Sequence, residues 1–83
     1  MIKVLYFAAI REKLGRGQEE VAVDGVANVA DLLEHLRGRD DAHAEVLAEE
    51  RRVLVAVNQE YANGARTLAD GDEVALFPPV TGG

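Results

Sequence analysis

The sequence predicts an α+β domain in which a sheet packs on one main helix. Three observations carry that expectation. Segments rich in β-branched and aromatic residues stand at 2–8, 19–23, 52–57 and 73–77, each bounded by turn residues. A single strongly amphipathic stretch begins after Asn28. At 83 residues the chain has room for one domain, and the element order β-β-α-β-(β)-β fits one sheet on one helix.

The elements follow in order. Residues 2–8 form the first strand, and 9–14 a short helical turn closed by Gly15. The second strand, 19–23, stops at Asp24-Gly25. Its connection to the first is too long for a two-residue hairpin but allows antiparallel pairing. In the main helix Asn28 serves as N-cap, and Asp31 sits where the helix dipole favours an acid. Val29, Leu32, Leu33 and Leu36 make its apolar stripe, and Gly38 ends it. After Asp40-Asp41 a shorter helix is expected over 42–50, with Val46 and Leu47 inward. A strand at 52–57 ends at Asn58-Gln59. Tyr61-Ala62 and Thr67-Leu68 are read as edge pieces flanking the turn Asn63-Gly64. Asp70-Gly71-Asp72 turns the chain into the last strand, 73–77.

Composition removes most chemistry. The chain has no Cys and no Ser, so thiolate metal sites, disulfides, Cys nucleophiles and Ser-His-Asp triads are all excluded. Thr67 and Thr81 are the only hydroxyl nucleophiles of their kind. Nine Lys and Arg against fifteen Asp and Glu give a net charge of −6, which argues against nucleic-acid binding and suits a basic partner. His35 and His43 are expected as solvated surface residues, because neither sits at metal-ligand spacing. Asp70-Gly71-Asp72 lacks a calcium-loop ladder, and Gly15-Arg16-Gly17 matches no phosphate-binding fingerprint. The first residues show no signal peptide, and the longest apolar run, 4–10, is seven residues. A cytoplasmic location and no membrane contact are therefore expected.

Strand alternation points to a binding face. If Lys3 faces water, period two turns Leu5 and Phe7 the same way, and Glu73 does the same for Ala75 and Phe77. An apolar patch away from the helix results, which favours a protein partner. Beyond it, Phe77-Pro78-Pro79-Val80-Thr81-Gly82-Gly83 cannot continue a ladder, because proline lacks the N–H donor. The prolines and β-branched residues keep this tail extended. Gly82 and Gly83 make it thin enough for a narrow channel, with the terminal carboxylate as its only reactive group.

The segments Met1-Ile2-Lys3-Val4-Leu5-Tyr6-Phe7-Ala8, Arg11-Glu12, Val55-Ala56-Val57-Asn58-Gln59 and Leu68-Ala69-Asp70-Gly71-Asp72-Glu73-Val74-Ala75 carry a resemblance that closes on Pro78-Pro79-Val80-Thr81-Gly82-Gly83. The chain resembles the small subunits of molybdopterin synthase, sulfur carriers of the ubiquitin-like family, over essentially its whole length. Leu76 departs from the aromatic often found there, and 38–51 carries no recognisable motif. The resemblance implies a β-grasp fold with a mixed sheet over 1–77, its first and last strands parallel neighbours, and a flexible tail at 78–83. It further implies that an adenylyltransferase related to ubiquitin-activating enzymes joins Gly83 to AMP, consuming ATP. A persulfide donor then converts the transient glycyl-adenylate to a thiocarboxylate. The sulfur passes to a cyclic pterin precursor in the large subunit's active site, within a heterotetramer and with no permanently bound cofactor. Gly83 is then the reactive residue and Gly82 its slender neighbour. Phe7, Tyr61 and Phe77 are candidates for the partner surface, with Arg11 as a polar contact and Pro78, Pro79, Val80 and Thr81 along the channel. Carriers for thiamine synthesis, tRNA thiolation or protein conjugation, and a β-grasp interaction module without chemistry, are the alternatives.

Overall fold

The computed structural model describes residues 1–79, so Val80, Thr81, Gly82 and Gly83 lie outside the described residues. The elements are β1 (Ile2–Tyr6), α1 (Ala8–Leu14), β2 (Gln18–Val21), α2 (Val29–Arg37), α3 (Asp41–Val46), β3 (Leu54–Val57), β4 (Glu60–Ala62) and β5 (Glu73–Phe77), with a 3₁₀ turn at Glu49–Arg51. The five strands form one mixed sheet in the order β2-β1-β5-β3-β4. β1 and β5 run parallel at its centre, with Val4 opposite Val74 and Tyr6 opposite Leu76, and every other pairing is antiparallel. This is the ubiquitin-like β-grasp arrangement. No helix is long and apolar enough to cross a membrane among the described residues.

One face of the sheet makes the core. Ile2, Val4 and Tyr6 from β1 and Val74 and Leu76 from β5 are buried with Val29, Leu32 and Leu36 of α2. Each such aliphatic side chain contributes about 1.5–3 kcal/mol on leaving water. Leu33, the fourth member of the predicted stripe, is half-buried at its margin.

The entry to α2 is closed from two sides. Asn28 accepts the Asp31 N–H at 2.9 Å, as its N-cap position requires, and Asp31 returns a carboxylate to the Ala27 N–H at 3.0 Å. The next two N–H groups, of Val29 and Ala30, donate to the carbonyls of Arg66 and Gly64, each at 3.0 Å. Gly64 allows that approach, since a Cβ there would sit 3.3 Å from the Ala30 methyl.

Several expected boundaries move. The first strand stops at Tyr6 because Phe7 becomes the N-cap of α1, and Ala8 takes a left-handed φ of 51° to turn strand into helix. β2 ends at Val21 rather than 23, where the chain leaves toward the Asp24-Gly25 turn. The helix expected over 42–50 breaks into six-residue α3 and the 3₁₀ turn, and left-handed Arg52 (φ 52°) delays β3 to Leu54. Of the two expected edge pieces, Tyr61-Ala62 lies in the edge strand β4, while Thr67 makes only an isolated bridge. Tyr61 and Ala62 pair with β3 across Asn58-Gln59, whereas Thr67 bridges to Asn28. His43 is buried rather than solvated, because Asp40 and Glu19 hold its ring from both sides.

Candidate functional site

The sheet face opposite the helices carries a row in strict register. Leu5 of β1 lies beside Ala75 of β5, Ala75 beside Ala56 of β3, and Ala56 beside Tyr61 of β4. Side chains on one strand alternate between faces, so this row and its neighbours two residues away share the outer surface. The two alanines form a low floor between taller Leu5 and Tyr61. The result is a concavity of about 440 Å³ along β5, lined by Leu5, Phe7, Ala56, Tyr61, Ala75 and Phe77 and closed at the far end by Gln59 and Glu73.

Its aromatic end is built by the parallel pairing of β1 and β5. Phe7 stays extended for one residue beyond β1 and donates its N–H to the Leu76 carbonyl at 3.2 Å. Its ring thereby reaches the Phe77 ring, with centroids 4.7 Å apart and planes inclined by only 13°. Phe7 remains 40% exposed and Tyr61 77%, an unusual cost for large apolar groups unless something covers them. Pro78, half-buried, and exposed Pro79 continue from Phe77 at this end.

The opposite end is pinned by polar groups. The Asn58 amide donates to Asp72 at 3.0 Å while its oxygen accepts the Glu73 N–H at 3.0 Å, which locks the β3–β4 turn to the start of β5. Asp72 is held below the ordinary carboxylate range, first by the Ala69 N–H and then by Asn58. Lys3, outward on β1, stands between Glu20 of β2 and Glu73 of β5 in the register, so the ladder alternates sign there.

Of the residues singled out from sequence, the fold brings Phe7, Tyr61 and Phe77 together around one trough. Arg11 is elsewhere, one turn into α1, lining a second concavity with Ala8, Glu12, Gly15, Arg16 and Gly17. Its guanidinium lies against Gly17, where a Cβ would meet Nε at 3.2 Å. Ala56 and Gln59 were not foreseen in the trough. The apolar run through β3 has no polar residue to mark its outward face, and Asn58-Gln59, followed by Glu60, is only a weak hairpin signal. Among the described residues no cluster of metal-binding side chains occurs.

A family model, the ThiS family, matches residues 4–83. The molybdopterin synthase sulfur carrier subunit of Escherichia coli K12 is 48% identical over 83 residues, covering 100% of both chains. The crystal structure of small archaeal modifier protein 1 from H. volcanii matches with a TM-score of 0.76 at 36% identity, over 95% of this chain and 97% of that one. A chain from the protein–protein complex of subunits 1 and 2 of molybdopterin-converting factor from Helicobacter pylori 26695 matches with a TM-score of 0.65 at 25% identity, over 99% and 97%. The chain therefore belongs to the ThiS family, and its similarity to molybdopterin synthase sulfur carrier subunits runs from one end to the other.

Proposed function

We propose that this chain is the sulfur-donating small subunit of a molybdopterin synthase, with Gly83 carrying the sulfur. The observation that carries the reading is the junction of trough and tail: the stacked Phe7–Phe77 pair sits where β5 passes into Pro78 and Pro79. A partner seated on the trough receives the following segment at one defined point. Residues 1–77 act as the docking body and 78–83 as the delivery arm. The relative in the H. pylori complex, in which subunits 1 and 2 associate, supports a large-subunit partner.

The chemistry needs only the terminal carboxylate from this chain. A carboxylate is a poor electrophile, so an adenylyltransferase of the ubiquitin-activating type condenses Gly83 with ATP, releasing pyrophosphate. The terminal sulfur of a persulfide donor displaces AMP, and a thiol reduces the resulting acyl disulfide to the thiocarboxylate. This is a soft, ionised nucleophile, for the reason that thiolates outperform alcohols. The large subunit supplies acid–base groups for its transfer to the cyclic pterin precursor. ATP is consumed by the activating enzyme, and no cofactor stays on the carrier.

A second reading has its own support in the similarity to small archaeal modifier protein 1. There the activated Gly83 is taken by an amine, which leaves an amide. Intact-mass measurement after incubation with ATP, activating enzyme and sulfur donor separates the two. Exchange of one oxygen for sulfur at Gly83, followed by sulfur loss to the pterin precursor when the large subunit is added, is the expected result. Amide adducts in place of that exchange establish the modifier reading, and neither product overturns both. Deleting Gly83 is expected to abolish transfer while large-subunit affinity by calorimetry stays within about twofold, a change of under 0.5 kcal/mol.

A further inference from the structure

On the helix side of the sheet, away from the trough, four charged or polar side chains converge on one carboxylate. Glu19 of β2 has a side chain only 5% exposed. The Tyr6 hydroxyl of β1 donates to its Oε2 at 2.6 Å, and His43 Nε2 of α3 lies 3.1 Å from the same oxygen. Arg39, before α3, pairs with Oε1, and Arg16, before β2, stands 4.0 Å from it. On the other edge of the imidazole, Nδ1 lies 2.8 Å from Asp40 Oδ1, which also accepts the His43 backbone N–H at 2.8 Å.

The protonation state of the ring follows from its partners. Asp40 is held below the usual carboxylate range, first by the His43 N–H and then by the His43 ring, so it is an acceptor. Burial pushes the Tyr6 phenol up to about 12, so Tyr6 keeps its proton and donates it toward Glu19. Two guanidinium groups face the Glu19 carboxylate, which accepts from the Tyr6 hydroxyl. A neutral imidazole has one N–H and one lone pair, and either tautomer would aim that lone pair at a carboxylate. Only the doubly protonated ring satisfies both contacts.

We infer that His43 is a proton-operated latch, whose imidazolium, braced by Asp40 within the 40–47 segment, ties that segment to the β1–β2 edge through Glu19. Loss of the ring proton removes one charge-assisted hydrogen bond and leaves opposed lone pairs, which opens the latch. Acid strong enough to protonate Asp40 or Glu19 opens it from the other side. Lys13 of α1 pairs with Glu45 of α3 at 3.2 Å, and α1 starts immediately after Phe7, at the aromatic end of the trough.

The test is an NMR titration of the full chain, labelled with nitrogen-15, from about pH 5 to about pH 9, the range in which imidazoles change charge. At the acidic end both His43 ring nitrogens are expected to carry protons. As the ring titrates, amide opening over 41–47, corrected for the intrinsic pH dependence of exchange, should rise by about tenfold, the loss of one charge-assisted hydrogen bond. Amides of β1, β3 and β5 should not follow. The exposed His35, on α2, is the internal control, and its ring signals should show no coupling to α3 exchange. His43→Gln should behave at every pH like the opened wild type. If that variant does not fold, the wild-type titration still decides. A ring holding one proton at the acidic end with both contacts intact overturns the inference, as does His43 titrating without any change in α3 exchange.

Discussion

Phe7 and Phe77 each sit where a strand ends, and their rings stack on each other with Phe7 exposed and Phe77 half-buried. Their stacking is worth about 0.5–1.5 kcal/mol to the fold beyond area burial, a modest return for leaving aromatic surface in water. Phe77→Ala is therefore expected to lower stability by about 1–2 kcal/mol yet to weaken large-subunit binding by at least about 2 kcal/mol, as a central aromatic anchor does. Ala75→Arg is the cleaner probe. It fills the trough floor without touching the core, so the melting temperature should move little while binding falls, both readable by calorimetry. Unchanged binding in both variants would show that the partner sits elsewhere. The two phenylalanines were legible from sequence because Lys3 and Glu73 mark the outward face of their strands. Ala56 was not, since β3 reads apolar at every position. His43 was also illegible, because its decisive partner, Glu19, is 24 residues away in the chain.

At the scale of elements, α2 was the most readable piece, because cap, stripe and stop all lie within eleven consecutive residues, 28–38. Asn28→Ala removes the acceptor for the Asp31 N–H and is expected to cost about 1 kcal/mol in urea unfolding. The Arg66 and Gly64 carbonyls keep the other two donors satisfied, so the helix itself should persist in circular dichroism. The β3–β4 turn offers a gain instead. Asn58 and Gln59 both have left-handed φ, 49° and 72°, a geometry that asparagine tolerates and glutamine does not favour. Gln59→Gly should raise stability by about 0.5 kcal/mol, after the larger entropy of the unfolded glycine chain is set against the relieved strain. A loss of stability would mean that the Gln59 side chain contributes to the trough wall more than its backbone costs. The hairpin was missed from sequence because Asn-Gln is a weaker turn signal than the Asn63-Gly64 pair that follows. Gly64 serves a different end, the close approach to Ala30.

At the scale of the whole molecule, pH acts from both sides. Asp40, Asp70 and Asp72 all titrate below the ordinary value of 3.8, through hydrogen bonds from the His43 N–H, the N-terminal ammonium and the Ala69 N–H respectively. Their folded forms hold protons less tightly than the unfolded chain does. The stability they add is thus complete above about pH 3.8 and is lost as pH falls through their lowered values. Tyr6 is the reverse case, raised by burial from 10.0 to about 12, so its contribution is whole below pH 10 and disappears as pH climbs toward 12. Urea midpoints across this range should therefore fall at both ends, and Tyr6→Phe should flatten the alkaline limb while leaving the acid limb in place. Local order along the chain was sufficient for the α+β class, the main helix, the last strand and the outward turn of Leu5, Phe7 and Phe77, because capping and side-chain alternation act over a few residues. The strand order β2-β1-β5-β3-β4, the alanine floor beneath Tyr61 and the enclosure of His43 depended on groups far apart in sequence meeting in space. Such meetings are decided by how the sheet and helices bury their apolar faces together, and no single segment encodes them.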